Sequence, residues 1–272
     1  MCALALPAAL PGSAHGSRTV IRAFYSHRLA GPLHFQVSLP AGYASTNRRY
    51  PVIYFLHGLP AAPDTYRGSL RWLEAALART GREAIIVQPQ GARDGDGDSE
   101  YLDWGGGRNW QSAIAEGLPE YVDSHFRTIP DRRARALIGL SAGGYGATIA
   151  ALRHLGEFSV VESWSGYFHP TDPSGLRALD LGSPRANARA SAHTYVSRLH
   201  SAFRARPTLF AFYVGVSDQR FLAENVRLHE ELKSARVPHV FAVYRGGHER
   251  TLWSKHAAAW LRLATERLTR AR

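Results

Sequence analysis

Gly139-Leu140-Ser141-Ala142-Gly143 follows a run, Ala134 to Leu140, that is apolar apart from Arg135, and precedes a helix-forming run from Ala147 to His154. A buried strand that turns through G-x-S-x-G directly into a helix is a nucleophile elbow. Its serine is held in a strained backbone conformation, and the residues two before and two after come so close that a side chain there would clash. Gly139 and Gly143 meet that demand. Ser141 is then expected at the mouth of a sheet with a helix N-terminus beneath it, where negative charge is favoured. An ordinary Gly/Ser turn has the same letters, so the neighbouring pattern carries the decision.

Outward from the elbow, short apolar runs recur at Pro51–Leu56, Ala84–Val87, Val160–Ser163, Thr208–Val214 and Val240–Tyr244. Runs without alternation fit strands covered on both faces, as in a parallel sheet. Before them, Val20–Leu29 and Leu33–Leu39 flank Ala30-Gly31-Pro32 and read as an antiparallel hairpin. Amphipathic segments at about 65–79, 112–125, 144–154, 221–235 and 252–269 interleave with the later strands. The expected class is α/β: an approximately eight-stranded, mostly parallel, doubly wound sheet with an antiparallel N-terminal hairpin. Residues 167–206 are too long for a simple connection and contain Pro170, Pro173 and Pro184, then a helical stretch at Ala186–Phe203. They read as an insertion over the C-terminal edge of the sheet, a candidate lid or pocket wall.

A serine hydroxyl is a weak nucleophile at neutral pH and needs a general base, itself oriented by an acid. On this architecture the acid and then the histidine follow the serine at the ends of later strands. Gly215-Val216-Ser217-Asp218 follows the strand Thr208–Val214, and Arg245-Gly246-Gly247-His248-Glu249 follows Val240–Tyr244. Asp218 and His248 are therefore the expected acid and base. Asp218 also stands where an N-cap of the helix near Phe221 would stand, and Glu224 is the competing acid. Glu249 reads as a solvated residue or local partner. An oxyanion hole needs two backbone N–H donors, each typically worth about 3 kcal/mol of barrier. The residue after the nucleophile, Ala142, supplies one. Leu59, in the loop after Pro51–Leu56, is chosen for the other, with His57 beside it as a loop brace, not a catalytic base.

Tyr50-Pro51-Val52-Ile53-Tyr54-Phe55-Leu56-His57-Gly58, Gly139 through Ala147, Ser163-Trp164-Ser165-Gly166-Tyr167 and Gly246-Gly247-His248 together resemble the putative-esterase family of α/β-hydrolases. That family includes esterase D-type enzymes, microbial feruloyl esterases and the mycolyltransferases of the antigen 85 complex, and the resemblance runs from about residue 20 to 265. It implies an α/β-hydrolase fold over residues 18–272 and ester hydrolysis or acyl transfer with no metal or organic cofactor. It places nucleophile, acid and base on Ser141, Asp218 and His248, and the oxyanion donors on Leu59 and Ala142. Many members carry methionine where this chain has Ala142, a change expected to alter pocket width and not mechanism. A serine carboxylesterase acting on a small-molecule ester is the expectation. Its rivals are an acyltransferase using a sugar or envelope alcohol and a non-catalytic binding protein on the same fold.

Composition narrows the field further. The net charge of +11 invites a nucleic-acid partner, but only Lys233 and Lys255 among the 33 basic residues are lysines, and no basic stripe with interleaved aromatics occurs. No nucleic-acid partner is expected; the densest cluster, Asp131–Arg135, reads as the cap of a strand entrance. No apolar run reaches the roughly 18 residues of a membrane span. The lone Cys2 excludes an internal disulfide and argues against a cysteine metal site. Residues 1–17, small, apolar and broken by Pro7, resemble the end of a secretory signal without its positive segment, or else a disordered tail. Export to the cell envelope or medium is the leaning, with a cytoplasmic protein the alternative. Asp94-Gly95-Asp96-Gly97-Asp98 lacks the glycine and glutamate that an EF-hand wants at Ser99 and Gly105, and reads as a solvated turn. Tyr101, Asp103, Trp104, Trp110, Trp164, Tyr167 and Phe168 are candidates for an aromatic pocket, with Trp104 and Tyr167 preferred because both follow strand ends.

Overall fold

The computed structural model describes residues 17–59, 62–68, 70–172 and 174–272. The leader-like stretch and Cys2 lie outside them. The strands are β1 (Arg18–Ser26), β2 (Gly31–Leu39), β3 (Val52–Leu56), β4 (Ile85–Pro89), β5 (Arg135–Leu140), β6 (Val160–Trp164), β7 (Leu209–Gly215) and β8 (Val240–Tyr244). The helices are α1 (Leu70–Ala78), α2 (Trp110–Ser112), α3 (Leu118–His125), α4 (Ala142–Arg153), α5 (Pro184–Ala190), α6 (Val196–Ala205), α7 (Leu222–Ser234) and α8 (Arg250–Arg267). They build one eight-stranded sheet in the order β1-β2-β4-β3-β5-β6-β7-β8. The pairs β1–β2 and β2–β4 are antiparallel and the others parallel. The α/β-hydrolase architecture expected of the sequence is the one observed.

Strand β3 shows why its run lacks alternation. Val52, Tyr54 and Leu56 face one core, with Leu137, Tyr145 and Phe212. Ile53 and Phe55 face the other, with Ile86, Ile138, Trp164 and Trp260. Both faces are covered, so every position is apolar. Strand β8 departs from that reading: it is the sheet edge, only partly buried, with Val243 exposed. Its run looks like an interior strand because one face still packs Phe241 on Phe212 at 5.0 Å between ring centroids.

Two helical expectations are corrected. The segment 112–125 is not one regular helix: α2 passes through a π-helical turn, Ala113–Gly117, into α3. The stretch Ala186–Phe203 is broken at Ser191, which is extended at φ −99°, ψ 125°. There the backbone leaves the helix so that the Ala192 N–H can donate to the Phe168 carbonyl at 2.7 Å. That bond ties the middle of the 167–206 stretch back to its start. The Asp94–Asp98 turn is also not simply solvated. Positive φ at Gly95 and Gly97 coils it inward, and Asp96 accepts from Arg93 and from the Trp110 indole, each at 3.1 Å. Asp131 caps its turn by accepting from the Arg133 N–H, and Arg135 enters β5 paired with Asp123 and Glu157. Among the described residues no helix is long and apolar enough to cross a membrane.

The tightest approach in the sheet is where β5 turns into α4 over the end of β3. A Cβ on Gly139 would lie 1.9 Å from the Gly143 carbonyl oxygen, and one on Gly143 would lie 2.1 Å from the Leu56 carbonyl oxygen. Both obstacles are backbone, which cannot rotate aside. Gly143→Ala is therefore expected to cost more than the ~1–3 kcal/mol of ordinary overpacking and to lower the urea midpoint sharply; an unchanged midpoint would show that the crossing can relax.

Candidate active site

Ser141 sits between β5 and α4 at φ 55°, ψ −121°, a conformation that non-glycine residues rarely occupy. Its carbonyl accepts from the Gly144 and Tyr145 N–H groups, and its own N–H donates to Trp164 at 2.9 Å. The strain is thus carried by hydrogen bonds on both sides of the turn. Asp218 follows β7 and is almost fully buried, its N–H donating to Gly215 at 3.0 Å. His248 follows β8 on a loop laced to the Asp218 loop by Val216 N–H to Tyr244 (2.8 Å) and Ser217 N–H to Gly246 (2.9 Å). Gly215 is required there too, because a Cβ would come within 2.4 Å of the Gly246 carbonyl.

These loops bring three distant residues into one chain of hydrogen bonds. His248 Nε2 lies 2.9 Å from Ser141 Oγ, and His248 Nδ1 lies 2.8 Å from Asp218 Oδ2. The imidazole is held edge-on by Phe221 and Trp253, with ring centroids at 5.2 and 5.1 Å. Trp253 is fixed in turn by donating its indole N–H to Ser165 Oγ at 2.9 Å. Asp218 Oδ1 is buried without a partner among the described residues, so the carboxylate directs its charge at the imidazole. Asp218 is not the side-chain cap of α7. Glu224, the competing acid, is turned to the insertion, where it accepts from the Phe168 N–H at 2.9 Å and meets His169 at 2.5 Å. Glu249 accepts from the neighbouring Gly247 N–H at 3.2 Å.

A cavity of about 290 Å³ opens over Ser141 and His248, walled by Leu59, Tyr167, Phe221 and Trp253, with Arg220 and Asp172 also on it. Ala142 is the first residue of α4, where an N–H has no carbonyl four residues back to take it. Gly58 packs against Ser141 so closely that a Cβ on it would fall 3.0 Å from the serine Cβ, and Leu59, the next residue, lies on the same cavity as Ser141. His57 is buried beneath this loop; its Nδ1 is 2.8 Å from the Gly58 carbonyl and its own carbonyl accepts from the Tyr101 hydroxyl at 2.8 Å. Burial pushes the His57 imidazole down to about 4, so it is neutral at pH 7.

The structure separates the two preferred pocket aromatics. Tyr167 lies on the Ser141 cavity, stacked on Tyr145. Trp104 borders a different cavity, of about 340 Å³, with its indole donating to Ser99 at 2.8 Å. It follows a turn that carries it away from the serine and towards α5. Trp110, Trp164 and Phe168 are fully buried core residues. Several contributors were not legible beforehand. Phe221 and Trp253 lie at helix starts after Asp218 and His248, where an aromatic is a weak signal. Tyr101, a pocket candidate from sequence, instead braces the His57 loop, and Glu100 beside it gave no signal: both adopt positive φ, and Glu100 accepts from the Tyr167 hydroxyl at 2.6 Å. Burial, reinforced by the neighbouring Asp98 carboxyl, pushes Glu100 up to about 9.

The geometry defines a protein of the α/β-hydrolase class with a serine at its elbow. The chain belongs to the putative esterase family, whose model matches residues 26–262. An esterase of Mycobacterium tuberculosis is 30% identical over 243 residues, covering 78% of this chain and 51% of that protein. The chain thus spans about half the length of the curated relatives it matches first. A solved ferulic acid esterase superposes with a TM-score of 0.75 at 26% identity, over 93% of this chain and 98% of the other. An S-formylglutathione hydrolase from Agrobacterium tumefaciens gives 0.74 at 22% identity, over 95% and 98%.

A carboxyl whose folded value is raised costs stability as pH climbs from its unfolded value near 4.5 towards about 9. Glu100→Gln keeps an acceptor for Tyr167 and removes that titration. Urea melts are expected to show the substitution gaining about 2–4 kcal/mol relative to the parent between pH 5 and pH 8; equal pH dependence in both would mean that Glu100 ionises freely.

Proposed function

We propose that this protein is a serine carboxylesterase. The observation that supports it most is the hydrogen-bonded chain Asp218–His248–Ser141 at the floor of a cavity in a member of an esterase family. Ser141 Oγ attacks the ester carbonyl carbon while His248 Nε2 takes the hydroxyl proton. Asp218 holds the Nδ1–H tautomer and stabilises the imidazolium. The carbonyl oxygen becomes an oxyanion held by the Leu59 and Ala142 N–H groups. As the tetrahedral species collapses, the bond to the alcohol oxygen breaks and His248 returns the proton to the leaving alcohol. Water, deprotonated by the same imidazole, then attacks the acyl-enzyme, releasing the carboxylic acid and regenerating Ser141.

Cavity size favours small substrates: about 290 Å³ lies at the lower edge of small-molecule sites. Leu59, Tyr167, Phe221 and Trp253 supply apolar walls for a short or single-ring acyl group. A ferulic acid esterase among the similar structures is consistent with that class.

Ser141→Ala is expected to reduce hydrolysis of p-nitrophenyl acetate by at least about 10³-fold, with an unchanged circular dichroism spectrum. Asp218→Asn is expected to lower kcat by about 10³- to 10⁴-fold. A fluorophosphonate probe is expected to label the parent and not the Ser141 variant. Full activity in the Ser141 variant would overturn the assignment.

A further inference from the structure

We propose that His169, His193 and Glu224 form a divalent-metal site, with zinc as its ion, that fastens the 167–206 insertion to helix α7. One ligand atom from each of the three residues lies within 4.8 Å of the other two. Glu224 Oε1 is 2.5 Å from His169 Nδ1 and 3.4 Å from His193 Nε2. In a tetrahedral zinc site with bonds near 2.0–2.1 Å, neighbouring donors are about 3.4 Å apart. The His193 edge already has that length, and the His169 edge needs to open by about 0.9 Å. His169 is the freest of the three, its side chain about a third exposed (35%).

Around these donors is the support that a metal site needs. His193 Nδ1 is 2.5 Å from Glu231 Oε2, and Glu231 is itself held by Arg227 at 2.9 Å. A ligand histidine characteristically passes its other ring N–H to a carboxylate, which fixes the tautomer and strengthens the metal-facing nitrogen. With Nδ1–H given to Glu231, Nε2 presents a lone pair towards Glu224 Oε1, also an acceptor. Two acceptors facing each other want a cation between them. The Phe168 N–H, at 2.9 Å, fixes the Glu224 carboxylate. Two imidazoles and one carboxylate suit zinc, whereas calcium and magnesium take oxygen donors. The exposed edge of His169 leaves a way in and a fourth position for water.

The three donors come from separate segments: the loop after β6, the turn Ala192–Tyr195 and the first turn of α7. An ion there acts as a clasp between them, apart from Ser141, and its presence does not depend on the esterase reading. The experiment uses the full chain without a histidine tag, stripped with chelator and dialysed against zinc. Atomic absorption is expected to find one zinc per chain, and zinc at about a hundred times its dissociation constant is expected to raise Tm by roughly 5–10 °C. Cobalt(II) is expected to give the visible absorption of a tetrahedral site. His169→Gln, and His169→Gln with His193→Gln, are expected to lose all three signals while melting like the stripped parent in chelator. Ser141→Ala is expected to keep them. Failure of the parent to retain stoichiometric zinc, or equal retention in the double variant, would overturn the proposal and leave a proton as the shared cation.

Discussion

Contact of backbone against backbone beneath Ser141 is the constraint on which the molecule depends. The elbow is sharp only because the Gly143 carbonyl fits beside Gly139 and the Leu56 and His57 carbonyls fit beside Gly143, with no side chain between them. That closeness has three consequences at once. It seats α4 on the sheet with its N-terminus under Ser141, where the helix dipole favours negative charge. It brings the loop after β3, with Gly58 and Leu59, against the serine. It forces Ser141 into positive φ, so that Oγ projects into the cavity and not into the core. The strain is tolerated because hydrogen bonds to Trp164, Gly144 and Tyr145 fix the turn on every side.

Support for the site then comes from buried polar groups that never touch its reacting atoms. The Tyr101 hydroxyl holds the His57 carbonyl, the Tyr167 hydroxyl is held by Glu100, and Asn225 donates to the Gly166 carbonyl at 2.8 Å. Glu100 and Glu162 are both raised by burial, to about 9 and about 8, so each is mostly a neutral carboxylic acid at pH 7. A neutral acid can both donate and accept, here beside the Tyr167 hydroxyl and the Trp164 indole, without placing an unpaired negative charge in the core.

Much of the fold, and the convergence of Ser141, His248 and Asp218, was legible in the sequence because each depends on local patterns. The elbow needs glycines at fixed offsets, and Asp218 and His248 each follow an apolar run. Helix ends and edge strands were less legible. Val240–Tyr244 is as apolar as β3, yet only neighbours distant in sequence determine which strand lies at the edge. The helix-forming stretch breaks at Ser191 so that the next N–H, of Ala192, reaches the Phe168 carbonyl, a distant partner in sequence and invisible to local propensity. Trp104 and Tyr167 looked equivalent as aromatics after strand ends; the bond of the Trp104 indole to the Ser99 carbonyl holds it on a different cavity. Glu100 gave no signal, since burial of a lone acid follows from tertiary packing.

Asp218 and Glu224 show how one short segment can serve two purposes. They are six residues apart, one in the loop after β7 and the other in the first turn of α7. Between them Phe221 packs on His248 at 5.2 Å and on Tyr167 at 5.0 Å. The chain changes from loop to helix at Leu222, and that change points the second acid away from the first. Asp218 therefore faces the imidazole of the sheet edge, while Glu224 faces His169 and His193 on the insertion. Movement of the insertion relative to α7 would be felt first at Tyr167 and Phe221, which wall the cavity, with Phe221 packed on His248. Whatever secures Glu224 to residues 168–193 thereby also sets the shape of the cavity over Ser141.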